Sequence, residues 1–145
     1  RPGLSQRPSG AVPGRVMAAP EATNRVFVYG TLKPGRRNWQ HLLAGRIEHY
    51  RPAVIRGRLL DLPLGYPAAV SGTDWVHGYL LELPQPELVA EIDRLEGYRT
   101  EQYYRRYRVP CFDPDGRPLG QAFAYFMEPG QASRLGGEPI PLGVW

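Results

Sequence analysis

The chain has 145 residues, 42% of them hydrophobic and 22% charged, which is enough to close one apolar core and rules out the disordered and fibrous classes. No apolar run approaches the 18 residues of a membrane-spanning helix, and the opening RPGLSQRPSGAVPGRVMAAPEATN has no continuous apolar segment of the kind a secretory signal needs. A single cysteine, Cys111, excludes an internal disulfide, and a net charge of +4 carried almost wholly by arginine leaves nucleic acid, an acidic substrate or an anionic surface as possible partners.

In chain order, residues 1–24 are rich in Pro, Gly, Ser and Ala with no apolar periodicity, and are expected to be a flexible leader in which Met17 is a candidate natural start. Val26, Phe27 and Val28 then read as a first strand that stops in the loop YGTLKPG, and a short helical segment is expected around Trp39 to Leu43. Ala53–Leu62 and Trp75–Leu83 have the β-branched and aromatic content of strands, and YPAAV between them reads as a short link. PQPELVAEIDRLEGY, residues 84–98, is expected to be a helix. Pro86 suits its first turn, Gly97 suits the position just past its end, and Leu88, Val89, Ile92 and Leu95 form one apolar stripe. RRYRVPCF and GQAFAYFM flank DPDGRPL, a turn composition that predicts a hairpin with Pro110 at an edge or bulge. The expected organisation is a leader over 1–24, a folded domain over 25–128 and an irregular Pro- and Gly-rich tail over 129–145 that Trp145 anchors. Several strands, few helices and no regular strand-helix alternation predict the α+β class, with a mostly antiparallel curled sheet or small barrel.

Chemistry has few places to sit in this sequence. It lacks GxGxxG, a P-loop and GxSxG, and His41, His49 and His77 are scattered singly. Cys111, without a CxxC partner, reads as a small packed hydrophobe, and no metal site is expected. Glu96 differs from the other acids of the helix. It follows Ile92 by four residues, on the row of Leu88, so by spacing it belongs to the core-facing stripe at the last turn. Desolvation and the negative end of the helix dipole would both raise its pKa there, which is what a general base near neutral pH requires. The other reading of the same spacing is a carboxylate that leans to solvent at the helix end or pairs with Arg99. The loop at Gly30 has two readings as well: an ordinary strand-end turn, or a run of backbone amides over Gly30, Thr31 and Leu32 that holds a carboxylate. Tyr103–Arg108, YYRRYR, interleaves aromatic and basic residues as a nucleic-acid face would, but alternates like a solvated strand.

Taken together, VFVYGTLKPG, the later YPA, EIDRLEGY and YRRYRV resemble the γ-glutamylcyclotransferase-like superfamily, in the branch of γ-glutamylamine cyclotransferases and plant avirulence-induced-gene-like proteins. The likeness covers most of residues 25–127, and its specificity comes from pairing YGTL with a glutamate in a D-x-x-E-G-Y context about 65 positions later. It implies a small mixed, mostly antiparallel β-barrel with flanking helices. Tyr29, Gly30, Thr31 and Leu32 would cradle the α-carboxylate and amino end of a γ-glutamyl group, Glu96 would be the catalytic residue, and Tyr125 would line the same pocket. The implied reaction closes 5-oxoproline and expels an amine, with neither metal nor cofactor. One departure stands out: the family often has Asn-His after the loop, whereas here Asn38 precedes Trp39, so the pocket rim differs.

The expected partner is therefore a small γ-glutamyl substrate, with no nucleic acid and no membrane, in a soluble cytoplasmic protein. The rival readings are a non-catalytic module that binds a small carboxylate in the same cavity and a nucleic-acid binder using Tyr103 to Arg108. The leaving group and the oligomeric state are open at this level.

Overall fold

The computed structural model of the chain describes residues 24–96 and 104–145, with Glu96 described in its backbone alone. The expected leader up to residue 23, Met17 in it, the helix-ending Gly97, and Tyr103 lie outside the described residues. Six strands and two helices run in the order β1 (Arg25–Val28), β2 (His49–Asp61), β3 (Pro67–Glu82), α1 (Glu87–Glu96), β4 (Arg105–Phe112), β5 (Pro118–Phe126), α2 (Pro129–Arg134) and β6 (Glu138–Pro139), counted among the described residues. A five-residue turn at Trp39–Leu43, where helix is expected, is wound wider than an α-helix and is closed by the Ala44 amide donating to the Trp39 carbonyl at 2.7 Å.

Five of the strands close on themselves. β2 pairs antiparallel with β3, β3 with β1, β4 with β5 and β2 with β4, and the ring is completed by a parallel contact between Val26 of β1 and Phe123 of β5. β6 adds to the outside edge of β2 through Leu60 and Asp61. The result is a closed, mixed, mostly antiparallel five-stranded barrel with a few helices, as the sequence predicts.

Two expectations are corrected. YPAAV is not a link: Pro67–Val70 is the first part of β3 and pairs with Arg58–Asp61, while Asp74–Glu82 pairs with His49–Gly57. The register shifts at Gly57/Arg58, so residues 71–73 bulge out of a single long strand. Pro129–Trp145 is not irregular throughout, because α2 and β6 lie in it. Pro129 supplies the fixed φ of a first helical turn, and Ala132 is fully buried.

The barrel interior takes side chains from all five strands, including Phe27, Ile55, Val76, Cys111 and Ala122. A second apolar layer covers the outside, where Leu88, Val89 and Ile92 of α1 pack with Val26, Val28 and Leu81. β1 is thus buried on both faces, its alternate residues Val26 and Val28 serving the outer layer and Phe27 the interior. Burial of each α1 anchor contributes about 2 kcal/mol. The stripe ends earlier than the spacing predicts, since Leu95 is 43% exposed, whereas Asp93 is buried. The predicted hairpin is present, with Gly116 at φ 93° in its turn, and Pro110 faces Gln121 one residue before the register shift at Cys111/Phe112.

Candidate active site

The loop after β1 is built by short-range hydrogen bonds. The Lys33 amide donates to the Gly30 carbonyl at 2.9 Å, closing a turn, and the Thr31 carbonyl accepts from the amides of Asn38 and Trp39 at 2.9 and 3.1 Å. The Asn38 side chain also donates to the Thr31 hydroxyl at 2.6 Å, so Thr31 is held from two directions. Gly30 is required by proximity rather than by torsion: a Cβ there would stand 2.9 Å from Cγ of Pro67. Among the described residues, the amides of Gly30, Thr31 and Leu32 donate to no backbone carbonyl.

Gly30, Thr31, Leu32, Asn38 and Pro67 line a cavity of about 240 Å³. Tyr29, Gly30, Thr31, Leu32 and Tyr125, all singled out from the sequence, meet there, and Leu95 brings the last turn of α1 to the same place. Glu96 is the next residue and the last of α1, and its side chain lies outside what is described. The Tyr29 hydroxyl donates to the Tyr125 carbonyl at 2.7 Å and accepts from the Ala69 amide at 3.0 Å, which ties the loop root to β5 and β3.

Three participants are not evident in the sequence. Tyr104 lines the cavity and donates its hydroxyl to the Pro67 carbonyl at 2.7 Å. Asp93 accepts from the Tyr125 hydroxyl at 2.5 Å through one oxygen and from the Arg106 guanidinium at 2.6 Å through the other. Asp93 thereby joins α1, three positions before Glu96, to both strands of the hairpin. The available signal was the EIDRLEGY motif, which holds Asp93 beside the glutamate; helical periodicity puts it off the apolar stripe and conceals its burial.

The loop's far side meets the chain's last residues. Lys33 and Arg36 both donate to the Trp145 carbonyl at 3.0 Å, and Arg36 also lies over the Trp145 ring at 4.9 Å. Burial, then the neighbouring Arg36, lowers the Lys33 pKa. Burial pushes the Cys111 thiol up to about 11, leaving it protonated and inert at neutral pH. Among the described residues no cluster of three or more His, Cys, Asp or Glu is arranged to hold a metal ion, and no helix is long and apolar enough to cross a membrane. The cations of β4 are partly engaged, Arg106 by Asp93 and both Arg106 and Arg108 by the Phe123 ring at 4.6 and 5.4 Å.

The fold is shared with solved structures. YkqA of Bacillus subtilis superposes with a TM-score of 0.60 at 25% identity, over 84% of this chain and 39% of that one, so the chain spans about two fifths of YkqA. A Pyrococcus horikoshii protein gives 0.60 at 24% identity over 83% and 88% of the two chains, and an aig2-like protein from Mus musculus gives 0.56 at 20% over 72% and 76%, both likenesses of fold. A search of curated proteins found no significant match. The family model described as gamma-glutamyl cyclotransferase, AIG2-like, matches residues 26–145, and the chain belongs to that family.

Proposed function

We propose that this protein is a γ-glutamyl cyclotransferase acting on a small γ-glutamyl amide. The observation that carries the reading is the convergence, on one cavity, of the Tyr29–Leu32 loop, Tyr125 and the last turn of α1. The three loop amides that donate to no backbone carbonyl among the described residues suit the substrate's α-carboxylate. The Tyr125 hydroxyl commits its proton to Asp93, so toward a ligand its oxygen is an acceptor, as an α-ammonium requires.

Glu96 takes a proton from that ammonium, and the freed amine attacks the substrate's own γ-carbonyl carbon. The new ring C–N bond forms, the attacking nitrogen gives up its second proton through Glu96, and Glu96 protonates the leaving nitrogen as the bond to the departing amine breaks, the other proton ending on the released amine as its ammonium form. The products are 5-oxoproline and the free amine, with no net redox change. The pocket's contribution is to hold a flexible chain curled for ring closure, an effect that converts an improbable encounter into a positioned one.

The test is release of 5-oxoproline from a panel of γ-glutamyl amino acids and γ-glutamylamines by wild type and by Glu96→Gln, which keeps the size and removes the base. Loss of at least about 100-fold in kcat is expected. Undiminished turnover in the variant would remove Glu96 from the mechanism. Saturable ligand binding with no turnover by either protein would identify a carboxylate-binding module instead, and salt-steep binding to single-stranded nucleic acid a different protein altogether.

A further inference from the structure

Among the described residues, the cavity wall is built almost entirely of apolar, aromatic and uncharged polar residues. Among the described residues that line it, Arg37 alone carries a charge. Its neighbour Arg36 is spent on the Trp145 carbonyl and ring, but Arg37 has neither a hydrogen-bond nor an ion-pair partner among the described residues. Its placement is fixed from one side, because Asn38 is pinned to Thr31 by backbone and side chain together. Arg37 is exposed, so it stands at the mouth of the cavity, whereas Leu32 and Tyr125 are buried.

A guanidinium with no partner among the described residues, at the edge of a cavity, favours an anion with the planar two-oxygen geometry of a carboxylate. On the cyclotransferase reading, on which this inference rests, the α-carboxylate of the glutamyl group has the loop amides. The remaining anion is a carboxylate on the departing amine. We propose that Arg37 selects substrates whose leaving group is an amino acid or peptide, so that γ-glutamyl amino acids are preferred over γ-glutamyl derivatives of simple amines. A neutral leaving group in the same position gains nothing from the guanidinium.

The experiment compares γ-glutamyl-alanine with γ-glutamyl-alaninamide, which differ only in that terminal charge, by kcat/KM for 5-oxoproline release. Wild type is expected to favour the acid by about tenfold, the size of one charge-assisted contact in a partly desolvated site, expressed chiefly in KM and shrinking as salt is raised. Arg37→Gln brings the ratio near one, Arg37→Glu inverts it, and Arg36→Gln keeps the wild-type ratio. A tenfold ratio that persists in Arg37→Gln overturns the inference, as does equal use of both substrates by wild type. Those two results leave the cyclotransferase reading standing, whereas turnover of neither substrate by wild type overturns both.

Discussion

Replacing Asp93 by Asn preserves the volume of the side chain and removes its charge, which tests the link between α1 and the hairpin. Asp93 and Arg106 are 9% and 25% exposed in their side chains, so the pair is only partly screened by water. Asn has one acceptor oxygen for the two donors that now converge on Asp93, and its amide must turn a donor toward either Arg106 or the Tyr125 hydroxyl. With its oxygen toward Arg106, Asn keeps a weaker bond to the guanidinium and its amide donates to the Tyr125 hydroxyl in a neutral bond, so both bonds lose the carboxylate's charge, at a cost of about 2–3 kcal/mol. The value stays below the ~3–5 kcal/mol of a fully buried broken pair because Arg106 keeps its solvent edge and its seat on Phe123. For a domain of this size that corresponds to a Tm lower by roughly 5–10 °C, read by calorimetry. Tyr125→Phe removes the hydroxyl from the other side. The two changes are expected to be non-additive by about 1–2 kcal/mol, and the double variant should lose no more kcat/KM than the worse single variant. Asp93→Asn melting within 1 °C of wild type, or strictly additive with Tyr125→Phe, would refute the account of Asp93 as a shared anchor.

Gly30→Ala is expected to lower stability by about 1–3 kcal/mol and to impair ligand binding, because its Cβ would meet a proline ring whose carbonyl Tyr104 holds in place; thermal unfolding and ligand titration check it, and a variant that melts and binds like wild type refutes it. Asp113 makes the hairpin turn sensitive to acid. Its carboxylate accepts from the amides of Arg117 and Asp115, the first being the larger influence, and its pKa is lowered. The unfolded chain therefore binds this proton first. The contribution is fully present above the unfolded value near ~3.9 and is lost as pH falls through the lower native value, so Asp113→Asn should flatten the acid limb of a stability profile against pH.

Elements specified by their own residues were legible in the sequence. The Asp115-Gly116 turn between two alternating strands, and the helix with Pro86 before it and Leu88, Val89 and Ile92 on one side, need no distant partner to be recognised. What the local sequence does not specify depends on the far side of the barrel. Pro67–Val70 is a strand because Arg58–Asp61 lies opposite it, and a three-residue bulge interrupts the pattern that would have joined it to the rest of β3. α2 is concealed by a composition of Pro, Gly and Ser that normally marks a turn. At the site, the loop and Tyr125 were visible through the motif they belong to. Asp93 was not, since its burial depends on Arg106 and Tyr125, which lie 13 and 32 positions away. Leu95 was expected in the core by periodicity and instead borders the cavity, because the core-facing arc of α1 turns toward Asp93.

The parallel contact that closes the barrel also sets an order of events during synthesis. The loop at Gly30 leaves the ribosome before the strands it needs: the strand that carries it leans on Leu80 and Leu81 of β3 and on Phe123 of β5, and its root is bolted to Tyr125, which is 96 positions further along. Until that tyrosine has emerged, the nascent chain has a loop and a helix but no cavity between them. The non-local pairing that makes such a barrel slow to fold therefore keeps the site from existing before almost the whole domain has been made.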